Sequence, residues 1–219
     1  GITDIGLLRK ENQDNLLMLP KRGVFAVADG MGGHAGGKLA STIAIDVLKQ
    51  WIEANEVLDQ PLIEAAIREA NKKILEKGQQ EQKNGMGTTL TLTFFQEDVC
   101  RIVHIGDSRA YLISDEGTIA LTHDHSLVGE LLAQGSITRD EAQNHPHRNI
   151  LTRALGSEAE ALPEWNQVAC QQIKYLLLCT DGLYNLVTEQ EITDIVMTEG
   201  KTLEEKNQAF VDLAKSRGG

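Results

Sequence analysis

The spacing of apolar residues divides the chain into segments of two kinds. Leu16–Leu19 and Val24–Ala28 are short apolar runs joined by Pro20-Lys21-Arg22-Gly23, which predicts a β-hairpin. From Gly37 to about Asn55 apolar positions recur every four residues at Leu39, Ile43, Val47 and Trp51, with Ala40, Ala44 and Leu48 beside them. That period predicts an amphipathic helix. A second helix is expected from Pro61, a good first-turn residue, through Ile63, Ile67, Ala70 and Ile74. Gly85 and Gly87 then interrupt the chain before three strand-like runs, Thr88–Phe95, Val99–Ile105 and Arg109–Ile113.

From His123 to about Leu155 the pattern changes to short helical pieces, with Gly135, Pro146 and four of the six histidines. This stretch reads as a partly independent insert. Strands resume at Val168–Gln171 and Tyr175–Thr180, and two helices follow, Thr188–Met197 and Thr202–Lys215. Thr202 and Glu205 have the spacing of a capping box that starts the last one. No repeat or low-complexity tract is present. Strands and helices do not alternate as a parallel βαβ sheet requires, so the expected class is α+β, with antiparallel sheets covered by helices.

Composition narrows this further. A chain of 219 residues suits one large domain, able to bury roughly 70% of its unfolded surface. Its hydrophobic fraction of 41% is that of a folded globule. A net charge of −11 argues against a nucleic-acid backbone or an anionic membrane as the main partner. No apolar run is long enough for a membrane span, and the N-terminus lacks the apolar core of a signal peptide. Cys100, Cys170 and Cys179 are odd in number and sit in apolar strand-like runs, as core cysteines do. A cytoplasmic location is expected, and no nucleic acid or membrane partner.

The candidate chemistry lies at the ends of strands. Val24–Ala28 runs into Asp29-Gly30, Arg101–Ile105 into Gly106-Asp107-Ser108, and Tyr175–Cys179 into Thr180-Asp181-Gly182. Any one Asp in such a place fits an ordinary turn. Brought to one rim they would repel, because two carboxylates about 4 Å apart cost about 4 kcal/mol at an effective dielectric of about 20. Either they stand apart or they hold cations, and three in one chain favour cations. All-oxygen ligands without a nearby cysteine point to Mg²⁺ or Mn²⁺. Two such ions generate a bridging hydroxide for in-line attack, and phosphorus esters are the usual target. Arg9, in the polar stretch Asp4–Asp14, is the candidate guanidinium for gripping phosphate oxygens.

These residues resemble the metal-dependent protein phosphatases, the type 2C or PPM family, and its bacterial serine/threonine members most closely. The resemblance rests on Arg9-x-x-Asn12-Gln13-Asp14, Asp29-Gly30-Met31-Gly32-Gly33-His34 and Gly87-Thr88-Thr89, followed by Gly106-Asp107-Ser108-Arg109, Thr122-His123-Asp124-His125-Ser126 and Thr180-Asp181-Gly182-Leu183. The motifs come in family order over almost the whole chain. The resemblance implies a two-sheet β-sandwich flanked by helices, with a dinuclear Mg²⁺ or Mn²⁺ site at one end that activates a bridging water for hydrolysis of phosphoserine and phosphothreonine. It implies Asp29 bridging both metals, the Gly30 carbonyl completing one shell, Asp181 on the other metal and Asp14 acting through water. Asp107 with Asp181 resembles a third, weaker metal site. Arg9 would hold the substrate phosphate, and His34 would protonate the departing oxygen. Some members place that histidine directly after Asp-Gly, where this chain has Met31.

The resemblance also implies phosphoprotein substrates, a cognate kinase as partner, a monomer, and a flap of about 124–155 beside the cleft within a single domain, 1–219. The family normally closes with a Gly-x-Asp-Asn segment and a last strand or two, whereas this sequence stops at Arg217-Gly218-Gly219. The family also has a short strand ahead of the position that Thr3 occupies here. A chain of these 219 residues is accordingly expected to lack one metal-binding carboxylate and an inner strand, and to be unstable or poorly active.

Two rival readings stand beside this one. Gly30-x-Gly32-x-x-Ala35 after a strand, with Glu53 further on, fits a dinucleotide fingerprint, although Asp29 would face the pyrophosphate and the next element is a second helix. The other rival is a phosphoprotein-binding or regulatory module of the same fold with impaired catalysis.

Overall fold

A computed structural model describes residues 1–32, 34–82 and 85–219; the side chains at 34, 35, 139 and 143 lie outside the description. The strands are β1 (Asp14–Leu19), β2 (Val24–Met31), β3 (Gly87–Thr88), β4 (Leu90–Gln96), β5 (Val99–Ile105), β6 (Arg109–Ser114), β7 (Gly117–Ala120), β8 (Glu164–Ala169) and β9 (Tyr175–Cys179). The helices are α1 (His34–Ala54), α2 (Gln60–Gln80), α3 (Leu127–Ala133), α4 (Arg139–Gln143), α5 (Asp181–Tyr184), α6 (Glu189–Met197) and α7 (Leu203–Ser216).

The strands form two antiparallel sheets. One has the order β1-β2-β4-β5-β8, with β3 paired to β2, and the other has the order β7-β6-β9. Side-chain alternation then sets the layers. Cys100 and Ile102 of β5 and Val168 of β8 meet Ala110 and Leu112 of β6 and Leu176 and Leu178 of β9 between the sheets. The opposite face of the larger sheet (Val24, Ala26, Leu90, Leu92, Val103) packs on α1 and α2. Ile63, Ile67 and Ile74 of α2 are fully buried there, each contributing about 1.5–3 kcal/mol by leaving water. Tyr111 and Ile113 of β6 and Cys179 pack instead on Ile192 and Val196 of α6 and Phe210 of α7. The result is an α+β sandwich with helices on both outer faces.

The predicted hairpin is present as β1–β2, with a 3-10 turn at Pro20–Arg22 and Gly23 left-handed at φ 62°. α2 starts on Asp59, whose carboxylate accepts from the Leu62 N–H, and α7 starts on the expected Thr202–Glu205 capping box. α1 begins at His34, not Gly37, and its most buried face is Ala40, Ala44, Leu48 and Ile52 rather than the Leu39–Trp51 stripe.

Other boundaries differ as well. β2 does not stop at Asp29: it continues through Gly30 and Met31, which pair with Thr88 and Gly87. The run expected from Thr88 to Phe95 is broken at Thr89, whose backbone N–H leaves the β4 register to donate to the Asp29 carbonyl. β7 was not foreseen. β8 lies four residues ahead of the expected Val168–Gln171, and Cys170 falls in a half-buried 3-10 turn after it, outside any strand. The last strand ends at Cys179 instead of the expected Thr180, because Thr180 precedes the short helix α5 that Asp181 opens. All strand pairs are antiparallel and α1 leads into α2, so the parallel βαβ context of a dinucleotide site is absent among the described residues.

Candidate metal centre

Asp14 and Asp29 stand directly opposite each other on β1 and β2. Antiparallel pairing brings opposed Cα atoms to about 4.5–5.5 Å, so the register alone forces two like charges together. The Asp29 carboxyl keeps its proton up to about 9, because burial disfavours the charged form and Asp14, Asp181 and Asp107 add repulsion. Asp14 is also pushed upward, chiefly by burial, and the two carboxyls share a hydrogen bond with the proton on Asp29. Asp107 is held up to about 7 by burial and by the charges of Asp181 and Asp124. Four acidic side chains from β1, β2, the β5–β6 turn and the start of α5 thus lie within one another's field.

Neighbouring hydroxyls fix this rim. Thr180, the residue before α5, donates through Oγ1 to Asp14 Oδ2 at 2.8 Å. Thr89 accepts the Asp29 N–H through Oγ1 at 2.9 Å, and the same hydroxyl lies 2.7 Å from Ser108 Oγ, beside Asp107. Thr88 Oγ1 donates to the Asp29 carbonyl at 2.9 Å. Gly30 is walled in: a Cβ there would meet the Gly37 carbonyl oxygen at 2.1 Å, so only glycine allows β2 to pass so close to the start of α1.

Arg9 is exposed and close enough to Asp14 to favour its charged form. With Asp14, Asp29, Gly30 and Asp181 it lines a cleft of about 600 Å³ that continues into an apolar groove between β1 and β9. Asp107 is not among the residues that line the cleft, though its charge acts on Asp29 and that of Asp181 acts on it. The His34 side chain lies outside the described residues.

The donor set suits hard divalent cations. All of its groups are oxygen, Asp29 and Asp107 hold their protons far more tightly than free carboxyls do, Asp14 is pushed the same way, and the exposed Arg9 bears on Asp14 from outside. Among the described residues no three acidic, histidine or cysteine side chains enclose an ion by themselves. That is compatible with Mg²⁺-type coordination, which takes few carboxylates and keeps several waters.

Other catalytic strategies fit less well. Burial pushes the Cys100 and Cys179 thiols up to about 12, so neither is a thiolate nucleophile at neutral pH. Thr89, Thr180 and Tyr184 were not singled out from the sequence. Thr180 could have been found as the hydroxyl preceding the third strand-end Asp, and Thr89 as the last residue of Gly87-Thr88-Thr89.

The helix-flanked double sheet superposes on bacterial protein phosphatases of known structure. Stp1 from Staphylococcus aureus superposes with a TM-score of 0.92 at 32% identity, covering 99% of this chain and 88% of that one. The catalytic domain of the serine/threonine phosphatase PstP, solved with two manganese ions, superposes at 0.85 with 32% identity, covering 98% and 90%. In sequence, the serine/threonine phosphatase stp of Listeria innocua is 41% identical over 99% of this chain and 89% of its own length. The family model for protein phosphatase 2C matches residues 9–215, and the chain belongs to that family.

Proposed function

We propose that this protein phosphatase hydrolyses phosphoserine and phosphothreonine on other proteins with divalent cations held by Asp14, Asp29, the Gly30 carbonyl and Asp181. The observation that carries the reading is the Asp14–Asp29 register, which sets two buried carboxyls directly opposite each other with no residue between them. When bound, a pair of Mg²⁺ or Mn²⁺ ions neutralises their charge, polarises the phosphate and makes water a competent nucleophile near neutral pH. A third, weaker ion is assigned to Asp107 and Asp181.

The remaining roles belong to the chain itself. Arg9, on the open side of the cleft, grips two phosphate oxygens by parallel hydrogen bonds and presents phosphorus to the rim. Thr180 holds the Asp14 carboxylate in one orientation, so that a water bonded to Asp14 is aimed consistently. His34 supplies the proton that the departing serine or threonine oxygen needs, since its unperturbed pKa lies near working pH. No covalent phosphoenzyme forms. The segment 124–155 acts as a flap that tunes substrate choice, within a single phosphatase domain acting as a monomer. The physiological setting is the cytoplasm, with a serine/threonine kinase supplying the substrates; three free cysteines agree with a reducing compartment.

Phosphate release from phosphothreonine and phosphotyrosine peptides, measured with Mn²⁺, with chelator and in Asp29→Asn, tests this. Turnover of phosphothreonine that needs Mn²⁺ and disappears in Asp29→Asn is expected. Turnover that survives both chelator and substitution would refute it.

A further inference from the structure

Asp107 is carried on the turn Gly106-Asp107-Ser108 between β5 and β6, and two sets of contacts hold that turn. From within, it rests on Thr89: the Thr89 hydroxyl reaches Ser108 Oγ at 2.7 Å, and a Cβ on Gly106 would strike Thr89 Cγ2 at 2.6 Å. From outside, it is held by His125. The His125 N–H donates to the Gly106 carbonyl at 2.7 Å, and the Gly106 N–H donates back to His125 Nδ1 at 3.2 Å.

The second bond fixes the ring. A nitrogen that accepts carries no proton, so the proton sits on Nε2, which faces Glu164 Oε2 at 3.4 Å. The other oxygen of Glu164 takes His123 Nδ1 at 3.0 Å. The His104 ring lies against the other side, with centroids 4.8 Å apart. His125 is buried, and burial followed by the Arg153 charge lowers its pKa, in keeping with the neutral ring.

His125 is also where the segment between β7 and β8 leaves the sheets. Its carbonyl accepts from the Thr152 N–H at 2.9 Å, Ser126 bridges Leu151, and the Leu127 N–H donates to the Ile150 carbonyl at 2.9 Å. Both ends of the segment carrying α3 and α4 are therefore tied together at the residue that grips Gly106.

We propose that His125 is a positioning residue, oriented by Glu164, through which the α3–α4 segment sets the place of the Asp107 carboxylate. The consequence for a cation at Asp107 rests on the metal reading above; the positioning itself does not.

Paired substitutions separate this role from simple packing. His125→Asn keeps an oxygen acceptor near the position of Nδ1, whereas His125→Gln places its amide beyond it. Amide hydrogen exchange of peptides covering Gly106, read in the metal-free protein, is expected to quicken at least tenfold in His125→Gln and to stay within about twofold of the parent in His125→Asn. The weakest Mn²⁺-binding step, read by Mn²⁺ electron paramagnetic resonance, should weaken in the same order. Should His125→Gln not fold, Glu164→Leu carries the test, with faster Gly106 exchange expected. Equal exchange in the Asn and Gln variants, or unchanged Gly106 exchange in Glu164→Leu, would overturn the proposal. Asp107→Asn serves as the separate control: unchanged Mn²⁺ binding there would remove Asp107 from the ligands, while the exchange result still decides the role of His125.

Discussion

Two groups of buried charge lie a few residues apart in this molecule and are handled in opposite ways. At the rim, Asp14, Asp29 and Asp107 are pushed toward their neutral forms because like charges crowd a poorly solvated place. Beside it, Arg109 is satisfied within the chain. Asp124 takes it through two parallel hydrogen bonds of 2.9 and 2.7 Å, Tyr111 accepts another, and the ring of Tyr184 lies 3.7 Å beneath the guanidinium. Burial would lower the Arg109 pKa, but Asp124 outweighs it and holds the cation charged. A buried charge with its partners in the chain is part of the structure. A buried cluster of one sign, steadied by hydroxyls but met only by the exposed Arg9, is a place prepared for something from outside.

The sharpest way to break that contrast is to neutralise one member of each group. Asp29→Asn is expected to lower phosphopeptide turnover by more than ~100-fold, beyond the usual loss of an outer partner of a metal ligand, while leaving the melting temperature of the metal-free protein unchanged or higher. Asp124→Ala should do the reverse in stability, costing about 3 kcal/mol by denaturant unfolding because the Arg109 charge is left uncompensated. Equal destabilisation by the two substitutions would remove the distinction. Thr180→Val, which frees the Asp14 carboxylate, is expected to cost ~10–100-fold in turnover with little change in stability.

pH sharpens the comparison further. Asp29 and Asp107 titrate near 9 and 7 in the folded chain, against 3.8 for the free side chain. Between those values the folded state holds more protons than the unfolded one, so stability falls as pH rises. Below about 6.5 the buried His104, pushed down to about 4 by burial, acts with the opposite sign, because the unfolded chain takes up the proton first. The clean window is therefore pH 6.5 to 9, where metal-free protein should melt at steadily lower temperature and Mn²⁺ should flatten the slope. A profile that is flat without metal would count against the crowding. At the small end, Thr202→Ala, far from either group, should cost about 1 kcal/mol through loss of the α7 cap, with turnover unaffected.

The sequence carried much of this in its local patterns. The hairpin and the capped helices are set by neighbours close in the chain, and motif order was enough to identify the family, although Asp29 lies within β2 and Asp181 opens α5 instead of ending strands. What escaped it depends on register and on edges. The turn residues announce the hairpin but not its register, and it is the 3-10 form of the turn at Pro20–Arg22 that sets Asp14 opposite Asp29. β8 was placed too late because it is an edge strand whose Asn166 and Gln167 face water, so its apolar alternation is lost. The roles of Thr180, Tyr184 and Glu164 come from contacts across 166, 75 and 41 positions or more of chain, as with Thr180 to Asp14, Tyr184 to Arg109 and Glu164 to His123. No local spacing rule can see these.

The most direct test of the crowded rim is calorimetric titration of metal-free protein with Mn²⁺ at pH 7.5 in buffers of different ionisation enthalpy. Binding that expels protons into the buffer, and loses that expulsion in Asp29→Asn, is the predicted result. Binding with no net proton release, or binding that Asp29→Asn leaves untouched, would contradict it.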